Sequence, residues 1–403
     1  MKTPQKRVKE TGHIPQELLK ELNNSRHSLS IGIPKENLKT EKRLAFTPEA
    51  VDMIVEAGHR IVLEEGAGLG INYSDTSYSE AGAQITDSLK EVFSCDLIFK
   101  IAPPTPAEIS LMKNKATICS MLSLPDLSTE AINAMTDKQI NAVGYELITP
   151  DGFNFLVRNS ISEIEGAASI SVVSELLSND RGGKGILMGG IPGVSPTEVI
   201  IIGAGVAGTI AARTALALGA TVKIFDSDIR KLRKLQRDLG TPVFTSVFQP
   251  NVLLNAFKSA DVVIGAMRYI NDPVRYVISN DVIQSMKKGA LLIDLRINQG
   301  GCFETTCFLH ADHPTVFEQF GVLHYCVPNL SSRVARTTSM ALSNIFTPLI
   351  TRIGEFGGVT ETTKSDMSFR SGLYMYSGKL VNSYIANYFG LPSHDIGLYL
   401  SVF

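Results

Sequence analysis

Three glycines and an aspartate between residues 199 and 226 have types and a spacing that predict a specific chemistry. An apolar run at 199–202 leads into Gly203-x-Gly205-x-x-Gly208, and after an alanine- and leucine-rich segment a second apolar run ends at Asp226. In such a strand–helix–strand unit the first glycine permits a tight turn and the second lets the backbone approach a pyrophosphate. The third lets helix and strand pack closely, and the phosphates lie at the positive helix N-terminus. The spacing therefore predicts a dinucleotide site.

The acid at the end of the second apolar run indicates which dinucleotide is bound. A carboxylate at Asp226 can accept a hydrogen bond from a ribose 2′-hydroxyl and would repel a 2′-phosphate. Arg230 and Lys231 follow within five residues, and nearby cations are what 2′-phosphate sites use. We therefore predict NAD as the cofactor, with a preference over NADP that Arg230 and Lys231 weaken.

Short apolar segments alternate with helical patterns along the rest of the chain, and they must form the sheets that position this unit. Such alternation predicts parallel sheets with helices on both faces. The predicted strands lie near residues 31–33, 59–65, 96–100, 117–122, 142–146, 243–246, 262–264 and 291–295. The predicted helices lie near residues 48–57, 77–83, 160–177, 229–239, 252–259 and 339–355.

Two long helical patterns suggest how the domains are connected. The one at 160–177 is suited to joining two domains, and the one at 339–355 to crossing back, because the residues after it hold too little strand for another domain. We predict an α/β protein with two Rossmann-like, doubly wound domains of mostly parallel sheets and a ligand cleft between them. The predicted parts are an N-terminal extension at 1–30 with a short helix at 15–22, a discontinuous substrate domain at 31–159 and 336–403, and a dinucleotide domain at 160–335.

Composition excludes several classes of protein. The chain has 403 residues, 44% of them hydrophobic, and a net charge of −2, which indicates a soluble globular protein with no nucleic-acid partner. We expect no secretory signal and no membrane anchor. Five cysteines without a Cys-x-x-Cys pattern favour reduced thiols and a cytoplasmic location. The pair His310-x-x-His313, followed by Pro314, is interpreted as a surface turn, so no metal is predicted.

Several longer motifs resemble the alanine dehydrogenase and nicotinamide nucleotide transhydrogenase α-subunit family, and the soluble dehydrogenases are the nearer branch. The matching residues span about 31–353. They are Ile31-Gly-Ile-Pro-Lys-Glu, Glu41-Lys-Arg-Leu-Ala-Phe-Thr-Pro, Gly58-His-Arg-Ile-Val-Leu-Glu-Glu-Gly-Ala-Gly, Tyr78-Ser-Glu-Ala-Gly-Ala, Gly182-Gly-Lys-Gly, Gly193-Val, the glycine motif, Gln299-Gly-Gly and His324-Tyr-Cys-Val-Pro-Asn.

The resemblance assigns expected roles to four residues. Arg43 resembles the arginine that holds the substrate carboxylate, and a guanidinium suits this role because it donates two parallel hydrogen bonds. Lys100 resembles the lysine near the substrate carbonyl, which polarises that group or acts as a base. Ser162 resembles a cofactor phosphate contact and Asn329 a residue at the nicotinamide end. From the residues alone, Arg43 and Lys100 would be surface charges and Ser162 a helix N-cap.

Two positions depart from the family pattern, and both concern proton transfer. The family's dehydrogenases have a histidine where this chain has Ser123 and an aspartate where it has Asn298. A serine hydroxyl without a partner base does not transfer protons as an imidazole does, and asparagine lacks the aspartate charge. In a regular strand at 291–298, Asp294, Arg296 and Asn298 would project to the same face. We hypothesise that Arg296 accommodates a second acidic group of the substrate; the alternative is a structural pair with Asp294.

The leading functional prediction is an NAD-dependent amino acid dehydrogenase, most simply one that oxidises L-alanine to pyruvate and ammonia. Its partners would be a small amino acid or 2-oxo acid and further copies of the chain, six by the family resemblance. Two alternatives are a nucleotide-binding component like the transhydrogenase α-subunit and a catalytically silent NAD(H)-binding protein. Both alternatives tolerate Ser123 and Asn298, whereas Arg43 and Lys100 favour the dehydrogenase.

Overall fold

A computed structural model of the chain describes residues 28–122, 124, 126–152, 154–267, 277–307 and 314–401. The short helix predicted at 15–22, the His310 and His313 pair and Ser123 lie outside the described residues. Within the described ranges, no helix is both long and apolar enough to cross a bilayer. No group of three or more His, Cys, Asp or Glu side chains in the same ranges is arranged to hold a metal ion.

Fifteen strands form two sheets, each mainly parallel. In chain order the strands are β1 Ser30–Ile33, β2 Arg60–Glu64, β3 Gln84–Thr86, β4 Leu97–Phe99, β5 Thr117–Ser120, β6 Asn141–Gly144, β7 Glu198–Ile202, β8 Thr221–Phe225, β9 Phe244–Ser246, β10 Val262–Gly265, β11 Leu291–Asp294, β12 Val316–Gln319, β13 Val322–Tyr325, β14 Leu373–Tyr376 and β15 Lys379–Leu380, counted over the described residues. These bounds confirm most predicted strands to within a few residues.

The first sheet has the order β15-β14-β6-β5-β4-β1-β2-β3, with antiparallel pairing only at β15–β14 and β14–β6. The second has the order β12-β13-β11-β10-β7-β8-β9 and is parallel except between β12 and β13. Each sheet has a buried apolar cluster on each of its two faces, as doubly wound sheets require. Strands β14 and β15 return from the end of the chain to the first sheet, so the predicted discontinuity is confirmed, whereas the boundaries at 30, 159 and 335 stay predictions.

The helices cover the faces of these sheets. In chain order over the described residues they are α1 Pro48–Glu56, α2 Asp75–Glu80, α3 Leu89–Phe93, α4 Pro106–Leu111, α5 Thr129–Asp137, α6 Leu156–Leu176, α7 Val206–Ala217, α8 Ile229–Leu239, α9 Pro250–Ser259, α10 Asn280–Gln284, α11 Ala335–Glu355, α12 Val359–Ser365, α13 Met367–Ser371, α14 Ser383–Phe389 and α15 Ile396–Ser401. Helix α8 has the predicted bounds, because Asp228 caps its start and Gly240, with φ +66°, ends it.

The long helix α6 begins at Leu156 and crosses the glycine-motif helix α7 at close range. A Cβ atom at Gly166 would lie 2.4 Å from the carbonyl oxygen of Ala207, so only glycine permits this approach. Because α6 starts four residues earlier than predicted, Ser162 lies inside the helix, and the interpretation of Ser162 as an N-cap is wrong. The crossing places the side chains of one face of α6 beside the start of α7.

The helix α11 anchors the end of the chain to the first sheet through an aromatic cluster. Phe346 lies 6.0 Å from Phe46, 4.9 Å from Phe99 and 4.8 Å from Tyr145 between ring centroids, and all four rings are fully buried. Such rings contribute both apolar burial and favourable edge-to-face contacts. This cluster fixes the return of the chain that makes the first domain discontinuous.

We expect Phe346→Ala to lower the free energy of unfolding by roughly 3–5 kcal/mol, because it leaves a cavity between three fixed rings. Denaturant unfolding measures the loss. Met340→Ala on the same helix is the control, since Met340 is 51% exposed and its truncation should cost less than about 1 kcal/mol. Equal losses in the two variants would contradict the assignment of α11 to this core.

Candidate active site

The glycine motif has the geometry of a pyrophosphate cradle. Gly203 has φ +111°, which glycine adopts readily, and a Cβ at Gly208 would lie 1.9 Å from the carbonyl oxygen of Gly203. A Cβ at Gly205 would meet nothing within 4 Å. Gly205 is the N-cap of α7, and no side chain caps this end, so the N–H groups of its first turn are not satisfied by a capping side chain. The residues present therefore fit the phosphates of a dinucleotide.

Asp226 is held inward at the end of β8. Its exposed fraction is 1%; one carboxylate oxygen accepts from the N–H of Ala204 at 2.7 Å and the other from the N–H of Asp228 at 2.8 Å. The carboxylate thus fixes the shape of the glycine loop, and each oxygen retains a lone pair for a further donor. Arg230 pairs with Asp228 at 3.0 Å on the surface, and Lys231 is exposed beside it. Contacts of Asp226 or Lys231 with a ribose stay predictions.

Arg43 is buried at the junction of the two domains, and part of its guanidinium is already occupied. Nε and Nη2 donate to the carboxylate of Glu41 at 2.8 and 2.6 Å, and Nη1 donates to Ser331 Oγ at 3.1 Å. The edge formed by Nη1 and Nη2 keeps hydrogens for a second carboxylate. Burial raises the pKa of Glu41, but its hydrogen bonds with Arg43 outweigh that effect and hold it below the ordinary value.

Asn329 lies next to this pair and connects it to the second domain. It has φ +60° at the start of a 3₁₀ turn, Leu330–Val334; its Nδ2 donates to Glu41 Oε2 at 2.7 Å, and its Oδ1 accepts from Ser331 at 3.1 Å. Arg43 and Asn329, which were predicted at the substrate and cofactor ends of the site, therefore share one carboxylate. The structure brings these two predicted residues together.

The backbone around Arg43 is held by hydroxyl groups rather than by a sheet. Ser332, Ser339 and Ser343 accept the backbone N–H groups of residues 42, 44 and 47 at 2.9 Å each. Thr47 is the N-cap residue of α1, but its side chain does not cap a helical N–H group. These serines precede or belong to α11, so the return of the chain also positions the arginine.

Lys100 is buried directly after β4, where it contacts Glu108 and lies near Glu36, two acidic side chains that sequence reasoning missed. Its Nζ donates to Glu108 Oε1 at 2.8 Å, and Glu36 Oε1 accepts from the N–H groups of Ile101 at 2.6 Å and Ala102 at 3.3 Å. Burial raises the pKa of Glu36 to about 7, although the charge of Lys100 lowers it in part. Glu108 stands in a Thr-x-x-Glu capping box, a signal visible in the sequence; Glu36 ends the Ile-Pro-Lys-Glu motif.

The prediction that Asp294, Arg296 and Asn298 project to one face is wrong, because β11 ends at Asp294. The buried Asp294 accepts the N–H groups of Arg296 at 2.9 Å and Cys302 at 2.7 Å. The chain therefore turns into a 3₁₀ segment, Ile297–Gln299. Asn298 is exposed. The ion pair of the Arg296 guanidinium is with Glu165 of α6, at 3.8 Å.

Glu165 is a further residue that sequence reasoning missed. It lies three positions after Ser162 on α6, and residues so spaced share a helix face. Ser162 is 8% exposed, and its contact with a phosphate stays a prediction. Ser331 Oγ lies 3.4 Å from Glu165 Oε1, and its one hydrogen can be donated there or to Asn329, so Glu165 belongs to the same polar cluster as Arg43 and Asn329. The described part of the site thus combines two arginines, a lysine and several carboxylates at the domain junction.

We expect Glu36→Gln to stabilise the protein increasingly as the pH rises. Burial raises the pKa of Glu36 from 4.5 in the unfolded chain to about 7 in the folded protein. The stability that this carboxyl contributes is therefore fully present below pH 4.5 and is lost as the pH rises through about 7. Relative to the wild type, the free energy of unfolding of the variant should rise by up to ~3 kcal/mol between about pH 4.5 and about pH 8. Denaturant unfolding across this range measures the difference. The exposed Glu56→Gln is the control, and a pH-independent difference for Glu36→Gln would contradict the burial effect.

Comparison with known proteins places these features in a family. Alanine dehydrogenase of Methanococcus maripaludis is 35% identical over 364 residues, 90% of this chain and 97% of that protein. Alanine dehydrogenase of Bacillus subtilis is 32% identical over 360 residues, 89% of this chain and 94% of that protein. A solved L-alanine dehydrogenase superposes with a TM-score of 0.83 at 31% identity, covering 90% and 99% of the two chains.

A solved transhydrogenase from Sinorhizobium meliloti has a TM-score of 0.71 at 24% identity, covering 88% of this chain and 99% of that chain; this likeness shows the fold alone. Two family models match, described as "Alanine dehydrogenase/PNT, N-terminal domain" over residues 32–164 and "Alanine dehydrogenase/PNT, C-terminal domain" over residues 169–383. Together they cover most of the sequence, and the chain therefore belongs to the alanine dehydrogenase/PNT family.

Proposed function

We propose that this protein is an NAD-dependent alanine dehydrogenase, which converts L-alanine, NAD and water to pyruvate, ammonia and NADH. The observation that carries the proposal is the position of Arg43, a buried guanidinium whose Nη1 and Nη2 each keep one hydrogen for a further acceptor, beside Asn329 of the second domain, which also carries the glycine loop. A carboxylate-binding group next to a dinucleotide site is what oxidation of an amino acid requires.

Each residue has a separate part in this reaction. The Nη1 and Nη2 edge of Arg43 would hold the substrate carboxylate, while Glu41 fixes the orientation of the guanidinium. Lys100 would donate to the oxygen that becomes the pyruvate carbonyl. NAD, when bound, supplies the acceptor for the hydride that leaves the α-carbon. The chain would bind its pyrophosphate at Gly203, Gly205 and Gly208, with Ser162 and Asn329 at the phosphate and nicotinamide ends.

Assembly and location are parts of the same proposal. The family resemblance favours a homo-oligomer, a hexamer, and several apolar side chains of the C-terminal segment are more than half exposed, which is typical of surfaces that other subunits cover. They are Tyr384 at 60%, Tyr388 at 55% and Leu398 at 67%. A cytoplasmic location agrees with the five cysteines, which form no disulfide bond among the described residues; four of them are buried.

The wild-type protein is expected to form NADH from L-alanine and NAD and to consume NADH with pyruvate and ammonium, as measured by NADH absorbance. A panel of amino acids should include aspartate and glutamate, because the hypothesis on Arg296 expects activity with a second carboxylate. Activity on alanine but none on those two substrates would exclude that hypothesis. NADH binding without any turnover would instead favour a transhydrogenase-like or silent NAD(H)-binding protein.

A variant of Arg43 and a control variant of Lys42 test whether this activity depends on the site. Arg43→Lys should lower kcat/KM for alanine roughly 10- to 150-fold, because one ammonium replaces two parallel charge-assisted hydrogen bonds. Lys42→Ala is the matched control, since the Lys42 side chain is exposed and only its backbone contacts Ser332. An unfolding curve of Arg43→Lys separates lost substrate binding from lost stability, because the wild-type arginine also neutralises Glu41.

We expect Gly205→Ser to weaken NADH binding without destabilising the fold. The serine side chain would occupy the open space at Gly205 and would suit its N-cap conformation, φ −75° and ψ −170°. The Kd for NADH should rise at least about tenfold, and the free energy of unfolding should stay within about 1 kcal/mol of the wild type. Fluorescence titration and denaturant unfolding measure the two quantities. An unchanged Kd would exclude this loop as the phosphate site.

A further inference from the structure

The carboxylate of Glu165 lies between the elements proposed to bind the substrate and the cofactor. Its Oε1 is 3.4 Å from Ser331 Oγ, which in turn accepts from Arg43 Nη1 at 3.1 Å and is 3.1 Å from Asn329 Oδ1. The Ser331 hydroxyl therefore lies between Glu165 and both Arg43 and Asn329, the residues proposed to bind the substrate and the nicotinamide. Its side chain is 12% exposed, which leaves it accessible to a small substrate or a water molecule.

Glu165 is flanked by two cations but held tightly by neither. Arg296 Nη1 is 3.8 Å from Glu165 Oε2, which is beyond hydrogen-bonding distance. Arg296 Nε is buried and has no hydrogen-bond partner among the described residues. The charged groups that face Glu165 are Arg296 from the loop after β11 and Arg43 from the segment before α1, with Glu41 behind Arg43. The carboxylate therefore keeps an oxygen that can accept a proton.

The other carboxylates of the site are less suited to proton transfer. Both oxygens of Glu41 are hydrogen-bonded, to Arg43 and Asn329. Glu108 is paired with Lys100, and Glu36 is anchored to two backbone N–H groups beside that lysine. Burial raises the pKa of Glu165, against the lowering effects of Arg296, Arg43 and the hydrogen bond from Ser331. A carboxylate with a raised pKa is a better general base near neutral pH than an ordinary one.

We propose that Glu165 is the catalytic proton-transfer residue of the amino acid oxidation, with Arg296 as the residue that positions it. This inference rests on the proposed function. Glu165 would then be the general base, at a position different from those of Ser123 and Asn298.

The proton steps balance as follows. Ionised Glu165 takes a proton from the substrate ammonium group and passes it to solvent, and the α-carbon is then oxidised by loss of its hydride to NAD, which leaves a protonated imine. Water attacks the imine carbon as Glu165 takes a proton from that water, forming a carbinolamine. Glu165 returns this proton to the nitrogen, the C–N bond breaks with its electrons on nitrogen, and the hydroxyl proton leaves as the carbonyl forms. The products are pyruvate, ammonium, NADH and one proton.

The decisive variant is Glu165→Gln, which keeps the shape of the side chain and removes its basicity. We expect kcat for alanine to fall at least about 100-fold with a small change in KM. The acidic limb of the pH profile of kcat/KM should disappear, and Glu165→Asp should restore part of both. The Kd for NADH, measured by fluorescence titration, should stay within about threefold of the wild type, because Glu165 does not line the glycine loop.

Glu163→Gln is the matched control, since Glu163 is exposed two residues earlier on the same helix and should keep wild-type kinetics. A Glu165→Gln variant with kcat near wild type and an intact acidic limb would overturn the assignment of Glu165 while leaving the proposed function standing. If the wild type oxidises another amino acid but not alanine, the same comparison is made with that substrate. A wild type that binds NADH but turns over no amino acid would overturn both proposals.

Discussion

The buried ion pair between Arg43 and Glu41 is the interaction on which the rest of the site depends. Two opposite charges that leave water cost several kcal/mol unless the remaining hydrogen-bonding groups are satisfied. Here Asn329, Ser331 and the backbone N–H of Arg43 supply those bonds. The hydrogen bonds with Asn329 and Ser331 form only when the loop that begins at Asn329 lies against the first domain, so the site is complete only in the folded two-domain protein.

The return of the chain at α11 holds the loop that begins at Asn329 against the first domain. The same helix that buries Phe346 in the aromatic cluster also carries Ser339 and Ser343, which bind the backbone next to Arg43. The apolar side chains of α11 thus hold the helix in the core, and its serine hydroxyl groups hold the backbone near Arg43. In the second domain, the close crossing of α6 and α7 at Gly166 fixes the position of α6, and with it that of Glu165, relative to α7.

Local features could be predicted from the sequence, and long-range contacts could not. The glycine motif and α8 follow from turn and capping geometry within a few residues. The continuation of the strand at 291–295 to residue 298 failed because Asp294 accepts the backbone N–H groups of later residues, a competition that an alternating pattern does not reveal. Ser331, which accepts a hydrogen bond from Arg43, lies 288 residues away in the sequence, and Glu165, the ion-pair partner of Arg296, lies on a different element, α6. Pattern alone carries no information on such pairs.

The sharing of Glu41 between Arg43 and Asn329 has a consequence for the order in which ligands act. The carboxylate joins a residue of the first domain to one of the second through bonds of 2.6 and 2.7 Å. A ligand that draws Arg43 toward itself changes the environment of Asn329, and a dinucleotide that contacts Asn329 changes that of Arg43. Since coupling free energy is reciprocal, each ligand would alter the affinity of the other by the same factor, with a single glutamate as the shared element.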